Sequence, residues 1–391
     1  MLPFWFPIVL GLRLGLSSAE ELVLPPPPGP YAVTMLAEEL VDRGRLDPYN
    51  TSHPRRMMIS RFAPIPRERC SSNCHVEYMP PLVAELEDAI GEAFLGNLTW
   101  PPGILSKVKL ELCCDPSPAP GHGYHSFPTV LLDTGINTTR LFYAATAQSL
   151  ASRGYNVITM DHPYETDVVA FPDGSIIYGG RVNRTSSEED IIHALEVRAN
   201  DATFVLDVVD KKLRGGGSSA GPKFGYVGHS FGGPAAAMAM LNDTRIVAGV
   251  NLDGRLFGPV LQAGLGRPGI NQSFLIFGAT GHNSSSEESW ERLWQTTQLH
   301  PGEWMKELSV MGSLHGTFWD LALIGDVSGL RSNRTLVENL LGDVTGARIM
   351  EILRDYLDDY FKMTLRGASQ GLLGGPSRDY PEVEFLRSSL L

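Results

Sequence analysis

The chain reads as an α/β-hydrolase, a mostly parallel, doubly wound sheet with flanking helices. Three observations predict this. Short apolar runs alternate with longer helical patterns through the middle of its 391 residues, which is how a parallel sheet covered on both faces is built. One junction, 223–234 (KFGYVGHSFGGP), sets Gly228-His229-Ser230-Phe231-Gly232 between a strand and a small-residue helix. An aspartate and then a histidine follow later strands, in the order Ser, acid, His that this fold uses.

The serine junction carries the most weight. Ser230 has to sit in a strained conformation that pushes Oγ out of the sheet edge, and Gly228 and Gly232 leave room for so sharp a turn. With 41 glycines in the chain, the five-letter pattern alone is weak. The strand before it and the alanine-rich helix after it make the pattern specific.

Along the chain, residues 1–19 are apolar and end at Ser18-Ala19, as a signal peptide does. Against that reading, no basic residue precedes the apolar core and Arg13 interrupts it. Residues 20–30 form a stiff Pro-rich linker, and 31–366 form the hydrolase domain. An early antiparallel strand is expected over 56–62 (RMMISRF). Residues 70–125 form a disulfide-pinned insertion with a helix over 82–95. Buried strands are expected at 127–132 (FPTVLL), 155–160 (YNVITM), 245–252 (RIVAGVNL), 273–277 (SFLIF) and 304–311 (WMKELSVM). Helical patterns cover 141–153, 188–213, 317–323 and 348–362, and a Gly/Ser linker (215–221) precedes the serine strand. The tail, 367–391, is expected to be loosely held because Gly, Ser and Pro crowd its start.

The composition, 43% hydrophobic and 19% charged, is globular, and the net charge of −12 argues against nucleic-acid partners. The same charge argues against docking on anionic membranes, leaving at most peripheral contact with lipid surfaces. Acceptor sequences for N-glycosylation begin at Asn50, Asn97, Asn137, Asn183, Asn242, Asn271, Asn283 and Asn333. That density fits an extracellular protein. Cys70 and Cys74 lie in one segment, Cys113 and Cys114 in another, so two bridges between segments are expected, in either pairing. The spacings do not fit zinc, and no metal or cofactor is called for.

A serine hydroxyl needs a base, and the base needs a carboxylate. Asp253, followed by Gly254, ends the 245–252 strand, one strand earlier than is usual for this fold. His315, in a loop after the 304–311 strand, is the expected base, and His282 is its rival. His229 is expected to turn away from Oγ, and His162 to line the pocket. The two amides that would hold the oxyanion are those of Phe231 and Ile136, the latter in the Asp133-Thr134-Gly135-Ile136-Asn137 turn.

With these residues placed, the chain resembles the secreted platelet-activating factor acetylhydrolase family. The resemblance rests on Gly228-His229-Ser230-Phe231-Gly232-Gly233, Asn251-Leu252-Asp253 and Gly312-Ser313-Leu314-His315. It extends over 135–155, with Arg140, Phe142-Tyr143 and Leu150 to Tyr155, and more weakly over 29–33. Thr134-Gly135 stands where the family usually has His-Gly. The resemblance implies a triad of Ser230, Asp253 and His315. It also implies calcium-independent hydrolysis of short or oxidised sn-2 acyl esters of glycerophospholipids. A general carboxylesterase or polyester hydrolase on the same fold is the alternative, and a silent binding protein is the alternative of another class.

Overall fold

The computed structural model describes residues 21–95, 100–116, 127–214, 223–265, 272–297 and 304–389. The signal-peptide reading, the Gly/Ser linker, and the sequons at Asn97 and Asn271 lie outside the described residues.

The centre is a nine-stranded sheet. Its strands are β1 (Tyr31–Leu46), β2 (Pro54–Pro66), β3 (Thr129–Asp133), β4 (Asn156–Met160) and β5 (Phe224–His229). They continue as β6 (Ile246–Leu252), β7 (Ser273–Gly278), β8 (Trp304–Val310) and β9 (Val383–Ser388). The order across the sheet is β1-β2-β4-β3-β5-β6-β7-β8-β9. Strands β3 to β8 pair in parallel, while β1, β2 and β9 join antiparallel at the edges. This is the α/β-hydrolase fold that the alternating pattern predicts.

Both faces of the parallel strands are buried, which explains why they read as unbroken apolar runs. Period-two alternation divides them between two cores. Val130, Val157, Val227 and Leu275 face one core, packed by α2 (Ala144–Ala151), α6 (Leu321–Val327) and α7 (Gly346–Arg366). Leu131, Ile158, Tyr226 and Ile276 face the other, packed by α3 (Glu188–Arg214), α4 (Gly232–Asn242) and α5 (Glu288–Thr297). The sheet order reverses between β3 and β5, and a crevice at the carboxyl ends of the strands opens there in folds of this type.

A smaller three-stranded sheet joins Leu22–Val23, Val108–Cys113 and Asn73–Glu77 beside helix α1 (Pro81–Leu95). The disulfides are Cys70–Cys113 and Cys74–Cys114, one of the two pairings left open.

Two expectations fail here, and one element was missed. The tail is not loosely held: β9 pairs with β8 from Val310↔Val383 to Lys306↔Ser388, and Tyr380 and Val383 are buried. The segment 20–30, expected to be a stiff linker throughout, begins in a strand: Leu22 and Val23 pair with Val108 and Lys109, and Leu24 is buried. The sequence reading also leaves 31–46 unassigned, whereas β1 runs its whole length. Leu36-Ala37-Glu38-Glu39-Leu40 are strong helix formers, yet cross-strand ion pairs Glu39–Arg56 and Glu38–Arg61 hold them in the sheet.

Candidate active site

Ser230 follows β5 directly and has φ +55°, the left-handed region a serine seldom enters. The space around it explains the flanking glycines. A Cβ at Gly228 would lie 1.8 Å from the Gly232 carbonyl oxygen, and one at Gly232 would lie 2.7 Å from the Asp133 carbonyl oxygen. The backbone is pinned there: Ser230 N–H donates to the Leu252 carbonyl (2.9 Å), and Gly233 N–H to the Ser230 carbonyl (3.0 Å).

His315 Nε2 lies 2.9 Å from Ser230 Oγ, and its Nδ1 lies 2.6 Å from Asp253 Oδ2. Asp253 sits at the end of β6 with φ +59° and is buried, while the His315 ring is half exposed. Among the described residues the non-glycine positions with positive φ are Asn137, Tyr164, Ser230 and Asp253. Three of these four carry the site. Strain of about 1–3 kcal/mol at each persists only where the surroundings enforce it. Burial opposes the Asp253 anion, but hydrogen bonds from His282 and His315 outweigh it and hold the carboxyl well below the usual range.

His282, the rival base, lies at the same aspartate rather than at the serine: its Nδ1 is 2.7 Å from Asp253 Oδ1. His229 turns away from Oγ as expected. Gly135 N–H donates to Tyr143 Oη (3.0 Å), Tyr143 O–H to His229 Nδ1 (2.8 Å), and His229 Nε2–H to the His315 carbonyl (3.0 Å). That order of donors requires a neutral His229. Burial and the nearby His315 supply it, pushing His229 down to about 3.

The turn after β3 packs close to the serine; the Cβ position of Gly135 is 3.4 Å from Ser230 Cβ. Because Gly135 N–H is taken by Tyr143, Ile136 N–H is the next amide along the turn. The turn's carbonyls are drawn inward by a fully buried guanidinium: Arg198 donates to Thr134 O (2.6 Å) and Gly135 O (3.2 Å) and pairs with Glu165. Arg198 also lies 4.8 Å from the centre of the Phe231 ring, touching both halves of the turn-and-elbow pair. Sequence reasoning missed it. The signal available was an arginine among Ala194, Leu195, Ala199 and Ala202 on the buried face of α3.

One expectation about a side chain needs correction. His162 does not line the pocket. It is fully buried and bridges Asp133 Oδ1 (3.0 Å) and Asp201 Oδ2 (2.9 Å). Asn137, with φ +49°, donates its side-chain amide to the carbonyls of Glu165 (2.8 Å) and Val182 (3.1 Å). Both amide hydrogens are engaged in the folded turn. Asn50, Asn183 and Asn242 are exposed, and Asn283 and Asn333 are partly so.

No family model matches the chain. A curated relative does, the probable 1-alkyl-2-acetylglycerophosphocholine esterase of Arthroderma benhamiae (strain ATCC MYA-4681 / CBS 112371). It is 41% identical over 378 residues, which is 95% of this chain and 95% of the relative. The chain belongs to the 1-alkyl-2-acetylglycerophosphocholine esterase family. A solved structure of a ferulic acid esterase from Streptomyces cinnamoneus is also similar: TM-score 0.73, 31% identity, covering 94% of this chain and 100% of that one. Membership makes the protein a hydrolase of ester bonds. In this esterase, Ser230 and Asp253 directly follow β5 and β6 and His315 lies in the loop after β8, all three beyond the carboxyl ends of parallel strands.

Proposed function

We propose that the protein is a secreted serine esterase that cleaves short or oxidised sn-2 acyl esters of glycerophospholipids. The observation that carries the chemistry is the hydrogen-bonded line Ser230 Oγ–His315–Asp253, at 2.9 and 2.6 Å. Ser230 Oγ attacks the ester carbonyl as its proton passes to His315 Nε2, and Asp253 holds Nδ1–H and stabilises the imidazolium. The carbonyl oxygen becomes an anion held by the Ile136 and Phe231 amides. Each amide is worth on the order of 3 kcal/mol in the transition state. His315 returns the proton to the departing alcohol, and water, activated by the same imidazole, hydrolyses the acyl-enzyme.

The substrate class is carried from the Arthroderma benhamiae relative. Secretion is supported by the apolar leader, the sequons and the two disulfides, which suit an oxidising compartment. No helix among the described residues is long and apolar enough to cross a membrane.

The test is hydrolysis of a short-acyl sn-2 phosphatidylcholine beside p-nitrophenyl butyrate, in EDTA, for wild type and Ser230→Ala. The proposal expects wild type to cleave both and Ser230→Ala neither. Cleavage of the nitrophenyl ester alone would replace the phospholipid reading with a general carboxylesterase. Full activity in Ser230→Ala would refute the nucleophile.

A further inference from the structure

The displaced acid creates a problem that the structure answers. Asp253 hangs from β6, and the loop after β7, where this fold more often carries its acid, offers no carboxylate before Glu287. What that loop offers instead is two donors. Ala279 N–H (2.6 Å) and His282 Nδ1–H (2.7 Å) both reach Asp253 Oδ1, leaving Oδ2 for His315. The His282 ring is itself held, its centre 4.4 Å from that of the Trp290 ring, and Nε2 is 3.7 Å from Glu287 Oε2. We propose that His282 is a positioning residue for the reaction. It fixes the Asp253 carboxylate from the far side, and its charge state sets how strongly that carboxylate supports His315. This rests on the triad reading above.

The charge argument follows from one carboxylate standing between two imidazoles. During acyl transfer His315 becomes an imidazolium and leans on Asp253. If His282 carries a second proton on Nε2, a like charge already leans on the same anion, and formation of the His315 imidazolium is less favourable. A neutral His282 keeps the Nδ1–H bond without that competition. The charged groups facing His282 are Asp253 from β6, His315 from the loop after β8, and Glu287 before α5. Arg255 stands behind Glu287 at 3.9 Å, and Glu307 of β8 accepts the Ser284 N–H in the same loop. Burial opposes a second proton on His282, but Asp253 and Glu287 outweigh it and raise its affinity above the ordinary value. A buried structural histidine with no tie to the reaction would fix the loop without affecting turnover, and that is the distinction to measure.

The test compares wild type, His282→Leu and His282→Asn on p-nitrophenyl butyrate, with Ser230→Ala alongside. Asn places an N–H donor where Nδ1 stands but cannot titrate. His282→Leu is expected to lower kcat about tenfold or more with KM little changed, the pattern of an interaction made in the transition state. His282→Asn is expected to recover most of that loss. On the acid limb, log kcat/KM of wild type should rise more steeply with pH than that of His282→Asn, because loss of the second proton from His282 adds to the activity of the wild type alone. Wild-type kcat in a folded His282→Leu, or a folded His282→Asn with no recovery, would overturn the positioning role. Identical slopes in wild type and His282→Asn would overturn the role of charge, and this comparison stands even if His282→Leu does not fold. Turnover near the wild-type level in Ser230→Ala would instead remove the triad reading on which the proposal depends.

Discussion

Replacing Tyr143 by Phe removes one oxygen from the middle of a buried chain. That oxygen accepts from Gly135 N–H at 3.0 Å and donates to His229 Nδ1 at 2.8 Å, and Tyr143 is 1% exposed. The variant therefore leaves an unpaired amide and an unpaired ring nitrogen, at about 1–3 kcal/mol each, so a loss of roughly 2–6 kcal/mol is expected. An unfolding entropy of about 2.1 cal/mol/K per residue sums to on the order of 0.8 kcal/mol/K over 391 residues. Tm should then fall by roughly 2–7 °C. The same change frees Gly135 N–H in the turn that presents Ile136 and loosens the link to the His315 backbone. A fall in kcat of about ten- to a hundredfold with little change in KM is expected, since one oxyanion donor is worth about 10²–10³. Thermal melting and steady-state hydrolysis of p-nitrophenyl butyrate measure both quantities. A variant that melts within a degree of wild type and keeps its kcat would refute the chain as a support for the site.

Two further outcomes are expected. His162 has a carboxylate at each ring nitrogen, so both nitrogens must donate and the ring is an imidazolium; burial and Arg198 oppose this, but Asp133 and Asp201 outweigh them and raise it to about 9. Its contribution to stability is fully present below about 6.5 and is lost as pH rises through about 9. The denaturant midpoint should fall over that window, and less steeply in His162→Gln. Truncation after Gly367 strips β9 from β8 and exposes the edge formed by 306–310. Such a chain should aggregate or melt well below the full one, as light scattering and calorimetry would show.

Much of the candidate site was legible because it is written in local constraints. Gly228 and Gly232 mark a turn that few structures other than the elbow require, and Gly254 behind Asp253 marks a strand end. What was illegible depends on partners distant in sequence. Leu36 to Leu40 read as helix formers, and only the pairing of β1 with β2 makes them strand. The alternation of Val383, Phe385 and Arg387 was hidden behind the Gly-rich stretch from Gly367. Arg198 lies 63 residues from the Gly135 carbonyl that it holds, and His282 lies 29 from Asp253. No periodicity reports such distances.

The two disulfides have a consequence for the chain's response to proteases. Cys113 and Cys114 are neighbours, and their bonds reach back to Cys70 and Cys74, so the stretch between, with all of α1, is a covalently closed ring. A single cut anywhere in 75–112 leaves both fragments attached through sulfur. On a non-reducing gel such a nicked molecule migrates as one species, and only a reductant separates the halves. Nicking there can alter α1 and its surface while the sheet that carries Ser230, Asp253 and His315 stays whole.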